Sequence, residues 1–97
     1  MTLEDYADAL NTQIIVQRYQ CQRGRWVAHF ACCDVIEGKI LSSSYGEGTT
    51  PLGAMNSYTE KIRGTRIVFD AASPEKRREF DVPETLNTIG LLDWAKP

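Results

Sequence analysis

The sequence predicts one α+β domain: a helix, a three-stranded antiparallel meander, a second helix across the sheet, then one or two further short strands and an ordered tail. Three observations predict it. Residues 3–10 carry apolar side chains at helical spacing, residues 13–45 hold three strand-like runs separated by polar or glycine-containing tips, and Gly46-Glu47-Gly48-Thr49-Thr50-Pro51 announces a second helix.

The first helix follows from Thr2, with Asp5 three residues on as a capping-box variant, and from Leu3, Tyr6, Ala7 and Leu10 on one face. Residues 13–20, QIIVQRYQ, are rich in β-branched and aromatic side chains and end at the polar tip Gln22-Arg23-Gly24-Arg25. From Arg25 to Val35 the chain alternates, with Trp26, Ala28, Phe30 and Cys32 on one face and Val27, His29, Ala31 and Cys33 on the other. The aromatic face is expected to meet the core. A turn at Glu37-Gly38 leads into a third strand, Lys39 to Tyr45.

The glycines at 46 and 48 then read as a turn that releases the chain from the strand, with Thr50 as N-cap and Pro51 in the first helical position. Leu52, Met55, Tyr58 or Thr59, and Ile62 recur at helical spacing; Lys61 and Arg63 suit the last turn, and Gly64 suits C′. Next, residues 65–71, TRIVFDA, form a strand with Ile67 and Phe69 on one face and Arg66, Val68 and Asp70 on the other. Ser73-Pro74-Glu75-Lys76 ends it. Arg78 to Val82 reads as one more short strand, stopped by Pro83, and Glu84 to Trp94 as a weak helix or ordered tail. The core is expected within 3–82 and the tail over 83–97.

Composition narrows the classes of function. Of 97 residues 42% are hydrophobic and 25% charged, which suits one globular core. No apolar run is long enough for a membrane span, and Glu4, Asp5 and Asp8 stand where a signal peptide would be basic, so a cytoplasmic protein without membrane contact is expected. Three cysteines, Cys21, Cys32 and Cys33, make no even disulfide framework and are expected as reduced, partly buried thiols. A net charge of −2 argues against bulk electrostatic binding of nucleic acid, yet residues 12–78 hold ten Lys or Arg against six Asp or Glu, so a local basic patch remains open.

The order helix, meander, Gly-x-Gly-Thr-x-Pro, helix spans residues 3–64 and resembles the double-stranded-RNA-binding-domain fold. Without the first helix it also resembles HicB-type antitoxins, where the turn matched by Gly46, Gly48 and Thr50 precedes the helix and a strand like TRIVFDA follows it. The same arrangement is similar to small proteins of tailed phages and prophages. The resemblance implies a fold, not an activity. Double-stranded-RNA-binding domains place lysines at the start of the second helix, whereas Thr49-Thr50-Pro51-Leu52-Gly53-Ala54 has no base; the tail after Asp81 is short and acidic for the DNA-binding segment of a HicB antitoxin.

No catalytic, metal or cofactor site is legible. The single histidine, His29, lies mid-strand, and pairing it with Cys33 as a metal ligand fails because residues four apart on a strand are separated by roughly 13 Å. Gly46-x-Gly48 lacks the Lys-Ser/Thr of a phosphate loop and the third glycine of a dinucleotide site. Two surfaces remain as partner-binding candidates: Arg23, Arg25 and Trp26 at a hairpin tip, where guanidinium and aromatic groups combine, and Lys76, Arg77 and Arg78 after the strand. The expectation is a non-enzymatic interaction protein, a phage or prophage accessory, docking on a host or defence-system protein. The alternative is a nucleic-acid-binding module built on the basic residues. Unpaired meander edges also leave a homodimer open.

Overall fold

A computed structural model describes residues 1–19 and 23–87. In chain order they form α1 (Leu3–Ala9), β1 (Ile14–Arg18), β2 (Trp26–Phe30), β3 (Cys33–Glu37), β4 (Ile40–Ser42), β5 (Gly46–Gly48), α2 (Pro51–Ile62), β6 (Arg66–Phe69) and β7 (Arg78–Asp81). The class is α+β as the sequence predicts. The strands make two antiparallel sheets, in the orders β1-β2-β5 and β4-β3-β6-β7.

Both helices start where their caps dictate. The Thr2 hydroxyl accepts from the Asp5 amide at 3.1 Å while the Asp5 carboxylate accepts from the Thr2 amide at 3.3 Å, a complete capping box. Thr50 accepts from the Gly53 amide at 2.9 Å, and Pro51 fills a position whose N–H would have no partner. The second helix ends at Arg63, and Gly64 takes the left-handed conformation, φ +67°, that a C′ residue needs.

The core is centred on Phe30. Its ring meets Tyr58 of α2 edge-on at 5.4 Å, Phe69 of β6 at 6.1 Å and Tyr6 of α1 at 6.2 Å, so one side chain joins both sheets and both helices. Each such aromatic contact adds about 1 kcal/mol to plain burial. Leu3, Ala28, Val35, Ala54, Ile62, Ile67, Val82 and Leu86 complete the cluster. Leu86 belongs to the chain after β7, where Asn87 bridges back to Thr2 and its carbonyl accepts from the Leu3 amide at 2.6 Å. The remainder of the expected tail, with Leu91, Leu92 and Trp94, lies outside the described residues, as does Cys21.

Two features depart from the sequence reading. The strand expected over 25–35 is divided at Ala31-Cys32: Cys32 adopts φ +53°, and the chain leaves the first sheet to pair with β6 in the second. Alternation hides this break, because one residue in the left-handed region reverses the strand's phase without a glycine or proline to announce it. Cys33 therefore packs against the core, and Cys32, expected on the aromatic face, is exposed in the link.

The second departure concerns the glycines. Of the strand expected over 39–45 only Ile40–Ser42 forms, and it pairs with β3; the third strand of the first sheet is Gly46–Gly48, paired with β2. A Cβ on Gly46 would lie 2.2 Å from the Ala54 carbonyl oxygen and the Tyr58 amide nitrogen, and one on Gly48 2.6 Å from the Ala54 nitrogen. These glycines are not a turn. They let a bare strand lie flush against α2, main chain against main chain.

Candidate functional site

The basic residues singled out in the sequence are mostly committed within the fold. At the hairpin tip Arg23 is exposed, but Arg25 lies 3.7 Å from Glu47 and Trp26 packs against the core, with the Arg18 guanidinium 6.0 Å from its ring centroid. Trp26 is therefore half-buried and turned toward the core. In the second group Arg77 donates to Glu79 at 3.2 Å and to the Ala71 carbonyl at 3.4 Å. Arg78 donates to the Leu10 carbonyl at 3.0 Å and stacks over Phe69 and Phe80 at 5.3 and 5.7 Å. Only Lys76 stands outside these contacts.

A charge ladder runs along the same sheet edge. Arg66 binds Glu79 at 3.0 Å and Asp81 at 2.9 Å, so Glu79 is shared by two guanidinium groups. Hydrogen bonds from Arg66 and then Arg77 hold the Glu79 carboxyl below the usual range, and the bonds Arg66 donates to Glu79 and Asp81 push its own guanidinium up. This edge is neutralised internally. The two basic groups also sit on different sheets.

A cavity of about 610 Å³ lies where the chain crosses between the sheets. It is lined by His29 of β2, Cys32 in the link, Asp34 of β3, Leu41 of β4, Tyr45 before β5 and Asp70 after β6. Its wall is hydrogen-bonded: the Ser43 hydroxyl donates to Asp34 at 3.2 Å, the Asp70 amide to the Cys32 carbonyl at 3.0 Å. His29 Nδ1 is 2.9 Å from the Phe30 carbonyl, which only accepts, so the proton sits on that nitrogen.

Burial pushes the Cys33 thiol up to about 11, so it stays protonated at neutral pH, and its sulfur is turned to the Asp34 carbonyl at 3.8 Å. The Phe30 carbonyl holds the Nδ1 proton of His29, which leaves Nε2 as the acceptor of the ring. Among the described residues no group of three His, Cys, Asp or Glu side chains is placed to hold a metal ion, and no helix is long and apolar enough to cross a membrane.

The surface beside the cavity is apolar. Four large hydrophobic side chains are exposed among the described residues; apart from Met1 these are Ile40 at 70%, Leu41 at 44% and Tyr45 at 40%, all within six residues. Lys61 holds the last of them in place, donating to the Tyr45 carbonyl at 2.7 Å with its ammonium 5.6 Å from the ring centroid. Sequence reasoning passed over this segment. Its one signal was Ile-Leu beside three serines, too polar a run for a buried strand.

No family model, no curated protein and no solved structure matches the chain.

Proposed function

We propose that this is a non-enzymatic docking protein that binds another protein through the face formed by Leu41, Tyr45 and the cavity between the sheets. One observation carries the reading: Leu41 and Tyr45 are exposed beside the cavity, while of the arginines that would serve a nucleic-acid site Arg25, Arg77 and Arg78 are engaged by Glu47, Glu79, two backbone carbonyls and two phenylalanine rings, and Arg23 alone of them is exposed without such a contact among the described residues. Apolar side chains bordering a cavity and ringed by polar groups are what interface cores are made of. The family resemblance makes a host or defence-system protein the class of partner to test first.

The test is an affinity capture from cell lysate with nuclease at low and moderate salt, using wild type, Tyr45→Arg and the pair Arg23→Ala with Lys76→Ala. A discrete protein that survives nuclease and salt, is lost with Tyr45→Arg and persists in the basic-residue variant supports docking. Recovery of nucleic acid alone, lost with salt and with the basic-residue variant, overturns it, because phosphate contacts weaken steeply as salt is added.

A further inference from the structure

The two free edges of the second sheet are built differently. The β7 edge is lined with charged side chains, Glu79 and Asp81, already paired with Arg66, and charged edges of this kind resist pairing with another strand. The β4 edge is short, apolar and uncharged: Ile40, Leu41 and Ser42 are all exposed. An edge of this kind is a template for another strand.

Its geometry selects the strand. β3 and β4 are joined by the two residues Gly38 and Lys39, with Glu37 opposite Ile40, Ile36 opposite Leu41 and Val35 opposite Ser42; Gly38 at φ +63° suits the first position of a type II′ turn. In such a hairpin the closing pair, Glu37 and Ile40, exchanges hydrogen bonds and the next pair does not. The amide and carbonyl of Leu41 therefore point to the free edge. So do those of Ser43, and so does the carbonyl of Lys39.

We propose that β4 pairs antiparallel with β4 of a second copy of this chain, about a two-fold axis through Leu41. Leu41 then exchanges both backbone hydrogen bonds with the partner's Leu41, the arrangement a two-fold axis demands. Lys39 falls opposite the partner's Ser43. That serine donates to Asp34 at 3.2 Å, and Asp34 sits one strand further on, on the same face, so it lies two strand spacings, about 10 Å between Cα atoms, from Lys39 of the other copy. An extended lysine spans that gap, so the axis creates two identical ion pairs, Lys39 with the partner's Asp34 and the reverse. On the opposite face Ile40 lies diagonal to the partner's Ile40 at roughly 7 Å. An apolar centre flanked by opposite charges is complementary to itself, which makes the fitting occupant a second copy.

This pairing concerns the backbone edge and stands apart from partner docking: a dimer that captures no partner, and a monomer that captures one, are separate results. Sedimentation equilibrium into the high-micromolar range tests it, on wild type, Leu41→Lys, Lys39→Glu, and Lys39→Glu combined with Asp34→Lys, with circular dichroism to verify folding. Wild type is expected to dimerise and Leu41→Lys to remain monomeric. Lys39→Glu should weaken association about tenfold, since two exposed pairs are lost at once. The double charge swap should restore it. A wild type that stays monomeric, or a dimer indifferent to Leu41→Lys, overturns the pairing; a swap that fails to restore association overturns the register.

Discussion

Replacing Gly46 by alanine adds a single methyl group, and the structure places it where nothing can yield cheaply. The new carbon would sit 2.2 Å from the Ala54 oxygen, 2.2 Å from the Tyr58 nitrogen and 2.7 Å from the Tyr58 Cα, all backbone atoms of α2. Side chains escape a clash by changing rotamer, but a helix backbone can only move as a body. Overpacking costs about 1–3 kcal/mol where side chains relax, and with main chain on both sides the upper end applies, about 3 kcal/mol. The entropy gained by removing a strand glycine offsets at most about 1 kcal/mol of this. In a domain of this size each kcal/mol lowers Tm by roughly 4–8 °C, so a loss of roughly 12–24 °C is expected before that offset. Thermal and urea melts followed by circular dichroism measure it. Gly53→Ala is the control: its methyl would meet only the Thr50 hydroxyl at 3.1 Å and the Gly48 Cα at 3.8 Å, and it repairs a glycine inside a helix, so it should be neutral or stabilising by up to about 1 kcal/mol. If Gly46→Ala melts within about 0.5 kcal/mol of wild type, β5 does not lie flush on the helix as described.

Arg78→Ala should cost about 1–2 kcal/mol, because it removes a hydrogen bond to Leu10 and two ring contacts, whereas Lys76→Ala should leave urea denaturation unchanged. Thr50→Ala should cost about 1 kcal/mol by deleting the cap of α2, read by the same melt. Burial raises the Cys33 thiol from 9.0 to about 11, so the native state holds that proton more tightly than the unfolded chain. Stability from this source is full below pH 9 and falls away as pH rises toward 11; Cys33→Ala should make that alkaline decline shallower, leaving the contributions of the Tyr58 and Tyr6 hydroxyls, which burial pushes in the same direction, and of Tyr45, pushed up by Glu47. A decline of unchanged steepness in the variant would show that the thiol is not the titrating group.

Local chemistry made much of this fold readable. Thr2 with Asp5, Thr50 with Pro51, and Gly64 mark helix ends through side-chain bonds and backbone preferences that act over three or four residues. Alternation likewise put Phe30, Ala28, Ile67 and Phe69 in the core. What escaped depends on partners distant in sequence. Nothing near Cys32 tells the chain to change sheets; the reason is β6, some 35 residues later. Glycines that enable a turn and glycines that clear room for a helix are the same letters, and only α2 decides between them. Val27 and Val68 lie on the outward faces of their strands, yet both are buried. The basic residues misled for a related reason: charge is visible in sequence, but the carboxylates and rings that absorb Arg25, Arg77 and Arg78 are assembled only by folding.

The left-handed link at Cys32 has a mechanical consequence. Because β2 and β3 are one nearly continuous stretch of chain, with the Asp70 amide bonded across the link, neither sheet can loosen without dragging on the other. A chain that wove its sheets from separate segments could fray from one side. This one should open as a single unit, so the amides of β2 and β3 would exchange with solvent at a common rate, set by unfolding of the whole.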